Sequence, residues 1–423
     1  MKIVSALIVA IAFFQFPFQA LARDFVIANI KVYNGPGSES EPLAIRVSDG
    51  VISEFGRGFS AEGALLYAGD GGYITPGFID SASTLGLEEV ELSTYAEDQK
   101  YDGTRMSVAF DPGLAFNRGS SMIPLYLEEG ITRILVKPDI GADVFSGQGR
   151  VIRLPDASGL LDESPRAVFV YFGESGRNLE GQSRAAVLQR LLAALEEAIL
   201  YDSKRRAYES GRLRSLSFPK EDLEVLASVI RGEKKLALYI DRAAEIETVL
   251  QALDPYELDI VIFGGREAWK VTDALTSRNI PVIINAMDNR PSNFDRMGVR
   301  LDQARLLHDA GVQFAFMTED LFTDTRLLSQ AAGVAVAYGL PWQAALDAIT
   351  ISPARIWGLD DRVGSLEIGK EATFLIWSGD PLELTSHVRY LVVAGQIIEP
   401  VNRQKMLRDR YRDLEEITPF SYR

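Results

Sequence analysis

Short runs in which apolar and polar residues alternate occupy both ends of the chain. Alternation with a period of two is typical of strands that bury one face. The segments 363–377 and 388–398 show this pattern near the carboxyl end, with a turn at Ala394-Gly395. Near the amino end the predicted strands are 25–27, 30–33, 43–47, 51–53 and 65–68.

The middle of the chain alternates β-branched runs with segments that repeat apolar residues at helical spacing. Such alternation indicates stacked βα units around a parallel sheet. The predicted strands are 132–136, 167–171, 236–240, 260–263, 281–285 and 313–317. The predicted helices are 188–200, 243–253, 268–277, 302–310 and 342–350.

Together these patterns predict an α/β fold in which a central domain is inserted between the two strand-rich ends. Residues 76–363 are predicted to form a TIM (β/α)8 barrel. Residues 23–75 and 364–400 are predicted to form one composite β-sandwich, and residues 401–423 a helical tail.

Residues 1–22 resemble a secretory signal. Lys2 precedes an apolar run from 3 to 18, and Ala20-Leu21-Ala22 has the small-residue pattern of a cleavage site. The alternative is an uncleaved membrane anchor, for which the run is short. We therefore expect export, to the periplasm, and no membrane association once the signal is removed.

Composition narrows the chemistry. The chain has no cysteine, which excludes disulfides, thiolate metal sites and a cysteine nucleophile. Its formal charge of −15 argues against nucleic acid or anionic lipid as a partner. His308 and His387 are the only histidines, so a site built from several histidines is impossible.

The stretch 75–86 reads Thr-Pro-Gly-Phe-Ile-Asp-Ser-Ala-Ser-Thr-Leu-Gly. It resembles the signature of metal-dependent amidohydrolases, Pro-Gly-Leu-Ile-Asp-x-His-x-His-Leu-Gly. Further segments resemble the same superfamily, and some resemble its exported, imidazolonepropionase-like subgroup: 129–132, 145–148, 264–269, 364–373 and 380–381. The resemblance implies a TIM barrel that hydrolyses non-peptide carbon–nitrogen bonds in cyclic or linear amides.

The resemblance also implies where a metal would be held, and the ligand residues are missing there. The four family histidines correspond to Ala82, Thr84, Tyr239 and Gly264. A methyl group or a neutral hydroxyl does not replace imidazole as a ligand for a divalent transition metal at neutral pH. We therefore expect no metal and no other cofactor.

One catalytic residue of the family is retained. The family's aspartate after the last barrel strand corresponds to Asp320, with Glu319 as the alternative. Without a metal to acidify water, such a carboxylate is a weak base and needs help from a second group. Lys137 lies on an early strand, so the role of a metal-bridging lysine is not transferred to it.

The acids near the strand ends suggest a paired-carboxylate site formed by Asp80, Asp241, Glu319 and Asp320. In the alternative interpretation, Asp80 and Asp241 accept hydrogen bonds from backbone amides or pair with Arg242 or Arg266. These oxygens are also suitable for calcium or magnesium, but no calcium-loop spacing is present.

Basic residues at the starts of loops suggest a cationic mouth that binds a carboxylate-bearing ligand. They are Lys137, Arg242, Arg266 and Arg326. Ordinary ion pairing is the alternative. His308 precedes the end of a predicted helix, where a cation favours capping over catalysis.

Two functional hypotheses follow. In the first, the protein is an atypical, metal-free hydrolase that uses Asp320 with Glu319 or Asp80. In the second, it is an inactive relative that binds a small-molecule ligand. Under the second hypothesis, the protein could also pair with a second copy of the chain or with an active, histidine-bearing relative.

Overall fold

The computed structural model of the chain describes residues 24–33, 41–89, 97–155, 165–318 and 326–412. The predicted signal at 1–22 lies outside these residues. The strands are β1 (Phe25–Val32), β2 (Leu43–Ser48), β3 (Val51–Gly56), β4 (Leu65–Pro76), β5 (Phe78–Ser83), β6 (Ile131–Val136), β7 (Phe145–Arg153), β8 (Ala167–Tyr171), β9 (Lys235–Ile240), β10 (Ile260–Gly264), β11 (Val282–Ile284), β12 (Phe314–Phe316), β13 (Phe374–Trp377), β14 (Val388–Val393) and β15 (Gln396–Ile398).

Helices follow most of the central strands. They are α1 (Ile123–Glu128), α2 (Gly173–Leu179), α3 (Arg184–Ser203), α4 (Arg205–Glu209), α5 (Lys220–Ile230), α6 (Ala243–Leu253), α7 (Thr272–Thr276), α8 (Gln303–Asp309), α9 (Leu328–Ala337), α10 (Trp342–Asp347), α11 (Ile351–Ile356) and α12 (Arg403–Arg412). Among the described residues, no helix combines the length and the apolar character needed to cross a bilayer.

The central strands form a nearly closed, barrel-like sheet in the order β12-β11-β10-β9-β8-β7-β6-β5. All six central strands predicted from the sequence are present. The gap between β12 and β5 is bridged by residues 348–349, whose carbonyl oxygens accept from the backbone N–H groups of Phe316 and Ile79 at 3.0 and 2.8 Å.

One strand departs from the regular (β/α)8 pattern. β7, which the alternation analysis does not predict, runs antiparallel to both β6 and β8. Only residues 137–144 connect β6 to β7. A parallel crossover needs about a dozen residues, so this short connection returns the chain in the opposite direction.

Both chain ends contribute to the second sheet, whose order is β15-β14-β13-β4-β1-β2-β3. β1 pairs in parallel with β4, and β4 pairs antiparallel with β13, which joins the amino-terminal strands to the carboxyl-terminal ones. The strand order describes one continuous sheet. The predicted two-layered sandwich is therefore not confirmed.

Two apolar clusters define the inside and the outside of the barrel. Alternate residues of the central strands, such as Leu135, Phe169 and Phe263, form the inner cluster. Their neighbours, such as Ile134 and Val168, pack outward against the helices. Inward-pointing residues at the carboxyl ends of the strands therefore lie at the barrel mouth, where active sites of such folds lie.

Candidate functional site at the barrel mouth

Lys137 follows β6 directly and continues the inward series that includes Leu135. Its side chain is only 2% exposed. Nζ donates a hydrogen bond to the Tyr171 hydroxyl at 3.2 Å and lies 4.0 Å from Oδ1 of Asp139. A buried ammonium group is stable only with such polar partners, so this contact fixes the lysine at the mouth.

Tyr171 and Tyr239 are the last inward residues of β8 and β9 and are register partners in the sheet. Their rings are stacked, with centroids 4.8 Å apart and planes 10° apart. The Tyr171 hydroxyl also lies 3.3 Å from the carbonyl oxygen of Pro138. Tyr171 is buried, whereas Tyr239 is only half-buried.

Arg266 lies just after β10 and is 3% exposed. Its Nη1 donates to Asp241 Oδ1 at 3.0 Å and to the Tyr239 hydroxyl at 3.3 Å, and its Nε donates to Asp288 Oδ2 at 2.9 Å. The guanidinium is therefore held between two carboxylates and beneath a phenol.

Burial and neighbouring charges shift the pKa values of Asp241 and Arg266 in opposite directions. Burial raises the pKa of Asp241, although Arg266 opposes the shift. Although burial opposes it, the neighbouring Tyr239 and Asp241 hold the pKa of Arg266 well above its ordinary value. Arg266 is therefore a permanent cation.

The space available at Gly264 shows whether the family's metal fits. A Cβ placed there would lie 2.5 Å from Asp241 Oδ1 and closer still to Arg266 Nη1. Gly264 also has a φ of +79°, a backbone angle that residues other than glycine rarely adopt. The Arg266–Asp241 ion pair thus fills the space of a fourth ligand.

The other three ligand positions do not compensate. Ala82 belongs to the inner apolar cluster, Thr84 offers only a hydroxyl, and Tyr239 is bonded to Arg266. Within the described part of the chain, no group of three or more histidine or acidic side chains could hold an ion. The residues present do not fit the family's metal centre.

Asp80 lies away from the barrel interior. Its neighbour two positions back, Phe78, belongs to the outer cluster. Burial raises the pKa of the Tyr126 phenol on α1, and the nearby charge of Asp80 raises it further. Asp80 Oδ1 accepts from the N–H of Ala82 at 3.1 Å. The structure therefore shows the alternative arrangement for both acids: Asp80 accepts from a backbone amide, and Asp241 pairs with Arg266.

Two of the predicted basic residues, Arg242 and Arg326, are not part of this cluster. Arg242 is exposed at the start of α6, and Arg326 lies 4.0 Å from Glu129. Glu319 and Asp320 lie outside the described residues. Of the four predicted basic residues, Lys137 and Arg266 are therefore the two that are buried at the mouth.

The two histidines have ordinary surroundings. His308 is exposed in the last turn of α8, as a capping role predicts. Nδ1 of His387 lies 3.0 Å from Ser378 Oγ, in the segment that leads into β14. Neither belongs to the barrel-mouth cluster.

Two members of the cluster were not singled out from the sequence. Tyr171 ends a strand that was predicted, and its even spacing from Ala167 and Phe169 would have placed it inward at the mouth. Asp288 follows β11 after a short turn, and nothing in its local sequence distinguishes it from a surface acid.

Comparison with known proteins shows which proteins this chain resembles. Residues 240–403 match the model of the Amidohydrolase family. An amidohydrolase of known structure from Thermotoga maritima superposes with a TM-score of 0.80 at 24% identity, over 89% of this chain and all of that one. A Xaa-Pro dipeptidase structure has a TM-score of 0.56 at 16% identity, over 89% of this chain and all of that one.

Two relatives are similar in sequence. The chain is 23% identical to an imidazolonepropionase of Shewanella oneidensis, over 79% of this chain and 86% of that protein. It is 22% identical to the amidohydrolase tasK of Hapsidospora irregularis, over 76% of this chain, and spans 36% of that longer protein. Residues 240–403 are thus similar to the amidohydrolase family, and the relatives named amidohydrolase and imidazolonepropionase extend the similarity over most of the chain.

Proposed function

We propose that this protein is a metal-independent member of its family that binds a small, neutral amide at the barrel mouth. The observation that carries the proposal is the position of Arg266, whose guanidinium and its partner Asp241 take the space of a ligand at Gly264. A fixed ion pair thereby occupies the space of one side chain that would hold the family's metal.

The charges favour a neutral ligand over a carboxylate. Arg266 is already compensated by Asp241 and Asp288, so a carboxylate placed beside it would lie next to two buried acids. The names of the relatives, amidohydrolase and imidazolonepropionase, support an amide as the ligand class.

The test combines metal analysis with ligand binding. We expect purified protein to contain far less than one transition-metal atom per chain after growth with added zinc or manganese. We expect the cyclic amide 2-pyrrolidinone to raise the thermal midpoint, with or without a chelator, and its carboxylated analogue pyroglutamate to do so less. A stoichiometric metal, chelator-sensitive binding or a preference for pyroglutamate would each contradict the proposal.

A second candidate is metal-free hydrolysis of the bound amide. The bond of 3.2 Å from Lys137 Nζ to the Tyr171 hydroxyl favours it, because a cation beside a phenol at the barrel mouth is a possible acid–base pair. Asp320 and Glu319 keep their predicted catalytic roles in this candidate. If this candidate is correct, the wild type should release product in the presence of a chelator, and Lys137→Met and Asp320→Asn should not. An inactive wild type would rule it out.

A further inference from the structure

An open concavity of about 640 Å³ lies outside the barrel, where α3 ends and α4 begins. Four of the seven residues that line it are cationic and one is acidic: Lys204, Arg205, Arg206, Arg212 and Asp202. The whole chain, by contrast, has a formal charge of −15. This α3–α4 concavity is therefore a local cationic site on an acidic protein, and its charge attracts anions.

The α3–α4 concavity is separate from the barrel mouth. Oδ1 of Asp202 lies 2.7 Å from Nη1 of Arg231, which shortly precedes the amino end of β9. The mouth lies at the carboxyl ends of the strands, so the two sites are at different ends of the barrel. Asp202 is farther from Arg205, whose Nη2 is 3.9 Å away. The one lining acid is therefore compensated mainly by a cation outside the concavity.

Three of the lining cations have no acidic partner. Within the residues that the structure describes, Lys204, Arg206 and Arg212 form no salt bridge. All three residues are exposed, so an anion can reach them. Like charges close together repel each other, and an anion bound between them relieves that repulsion. The concavity therefore lacks a counter-ion that a ligand would supply.

The turn after α4 brings Arg212 back beside the other cations. Gly211 has a φ of +69° and reverses the chain, and the N–H of Arg212 donates to the carbonyl oxygen of Ala207 at 2.8 Å. Nε of Arg212 donates to Oγ of Ser210 at 2.9 Å. A guanidinium has five N–H donors, so this bond orients Arg212 and leaves its terminal nitrogens for an anion.

We propose that the α3–α4 concavity binds a soluble anion with two or more adjacent phosphate groups, which Lys204, Arg206 and Arg212 contact. Arginine donors form a planar fork that matches phosphate oxygens, and lysine adds a point charge. The volume lies within the range of about 300–1,000 Å³ that small-molecule sites occupy, and one phosphate would not fill it. Anionic lipid and nucleic acid are disfavoured, because their extended negative surfaces would also face the acidic remainder of the chain.

Calorimetric titration with inorganic tripolyphosphate, at low ionic strength and without divalent cations, tests the proposal. We expect one tripolyphosphate per chain, and inorganic phosphate to bind at least about tenfold more weakly. The double variant Arg206→Gln/Arg212→Gln should weaken tripolyphosphate binding at least about tenfold, the value of one charge-assisted hydrogen bond.

A matched control separates the site from general electrostatic attraction. Arg118→Gln/Arg403→Gln removes the same charge at exposed positions elsewhere, and its affinity should stay within about twofold of wild type. All four substitutions are at exposed residues, so both double variants should keep the wild-type thermal midpoint. A wild type that does not bind tripolyphosphate, or an equal loss in both double variants, overturns the proposal. Binding to phosphatidylglycerol vesicles that tripolyphosphate does not displace also overturns it.

Discussion

Nη2 of Arg133 donates to both carboxylate oxygens of Glu371, at 2.8 and 2.7 Å. Arg133 lies on β6 of the barrel, and Glu371 lies shortly before β13 of the second sheet. The bidentate pair therefore ties the two sheets together. Although burial opposes the shift, Arg133 lowers the pKa of Glu371.

We expect Glu371→Gln to lower the free energy of unfolding by about 2–4 kcal/mol at pH 7, because it leaves Arg133 without its charged partner. Since the folded pKa of Glu371 lies below the unfolded value, the pair stabilises fully above the unfolded pKa, and the stabilisation is lost as pH falls through the folded pKa. Urea denaturation should show that the difference in unfolding free energy between wild type and Glu371→Gln is smaller in acid than at pH 7. Arg278→Ala, at an exposed pair with Asp254, should barely change the midpoint. An equal loss at both pH values would contradict the linkage.

The sequence was sufficient to predict much of the barrel because most of its strands are short, continuous apolar runs. It did not predict β7, in which Ser146, Gly147 and Gln148 interrupt the apolar pattern after Phe145. The short connection from β6 sets the direction of β7. Its length depends on where β6 ends and β7 begins, and the sequence pattern does not show where β7 begins.

The candidate site was only partly predictable for a similar reason. The loss of ligands at Ala82 and Gly264 is a matter of residue type, which the sequence states directly. The pairing of Arg266 with Asp288 joins loops after two different strands, so it depends on tertiary geometry. Asp80 was expected at the mouth because it lies near the end of a strand. The pairing of β5 with β6 shifts register on both sides of the pair Ile79–Asp80, and Asp80 lies on the outer side of the barrel.

Two glycines with similar backbone angles allow the cost of filling the ligand space to be isolated. Gly264 has a φ of +79° and no room for a Cβ, whereas Gly232 has a φ of +71° and nothing within 4 Å. We expect Gly232→Ala to cost about 1 kcal/mol of stability from backbone strain. Gly264→Ala should cost at least about 2 kcal/mol more, because it must displace the Arg266–Asp241 pair. Equal losses by chemical denaturation would show that the ion pair moves freely.

Asp222, in the first turn of α5, holds the loop that follows β5 near the barrel mouth. Its carboxylate accepts from the N–H of Ala109 at 2.7 Å, and from the N–H and hydroxyl of Ser107. We expect Asp222→Asn to cost about 1–3 kcal/mol, because the amide loses one acceptor oxygen. Hydrogen exchange at Ser107 and Ala109 should accelerate, whereas the exposed neighbour variant Glu221→Gln should exchange like wild type. Unchanged exchange in Asp222→Asn would show that the loop does not depend on this cap.

Arg266→Met removes the cation between Asp241 and Asp288. We expect a loss of about 3–5 kcal/mol at pH 8, because Asp241 remains buried without its partner and Asp288 keeps only the longer contact with Arg296, whose Nη1 lies 3.8 Å from its Oδ2. Burial already raises the pKa of Asp241 while Arg266 opposes the shift, so removing Arg266 should raise this pKa further.

The pH dependence of that loss follows from the sign of the shift. In the variant, folded Asp241 binds a proton more readily than unfolded Asp241, so stability rises as pH falls through the folded pKa. Denaturation midpoints measured from pH 8 to pH 5.5 should therefore show the deficit shrinking. Asp241→Asn in the same chain should recover part of the loss at pH 8, and Arg242→Met, at an exposed position, should cost little. A deficit that stays constant with pH, or no recovery in the double variant, would mean that Arg266 stabilises the mouth through packing and not through its charge.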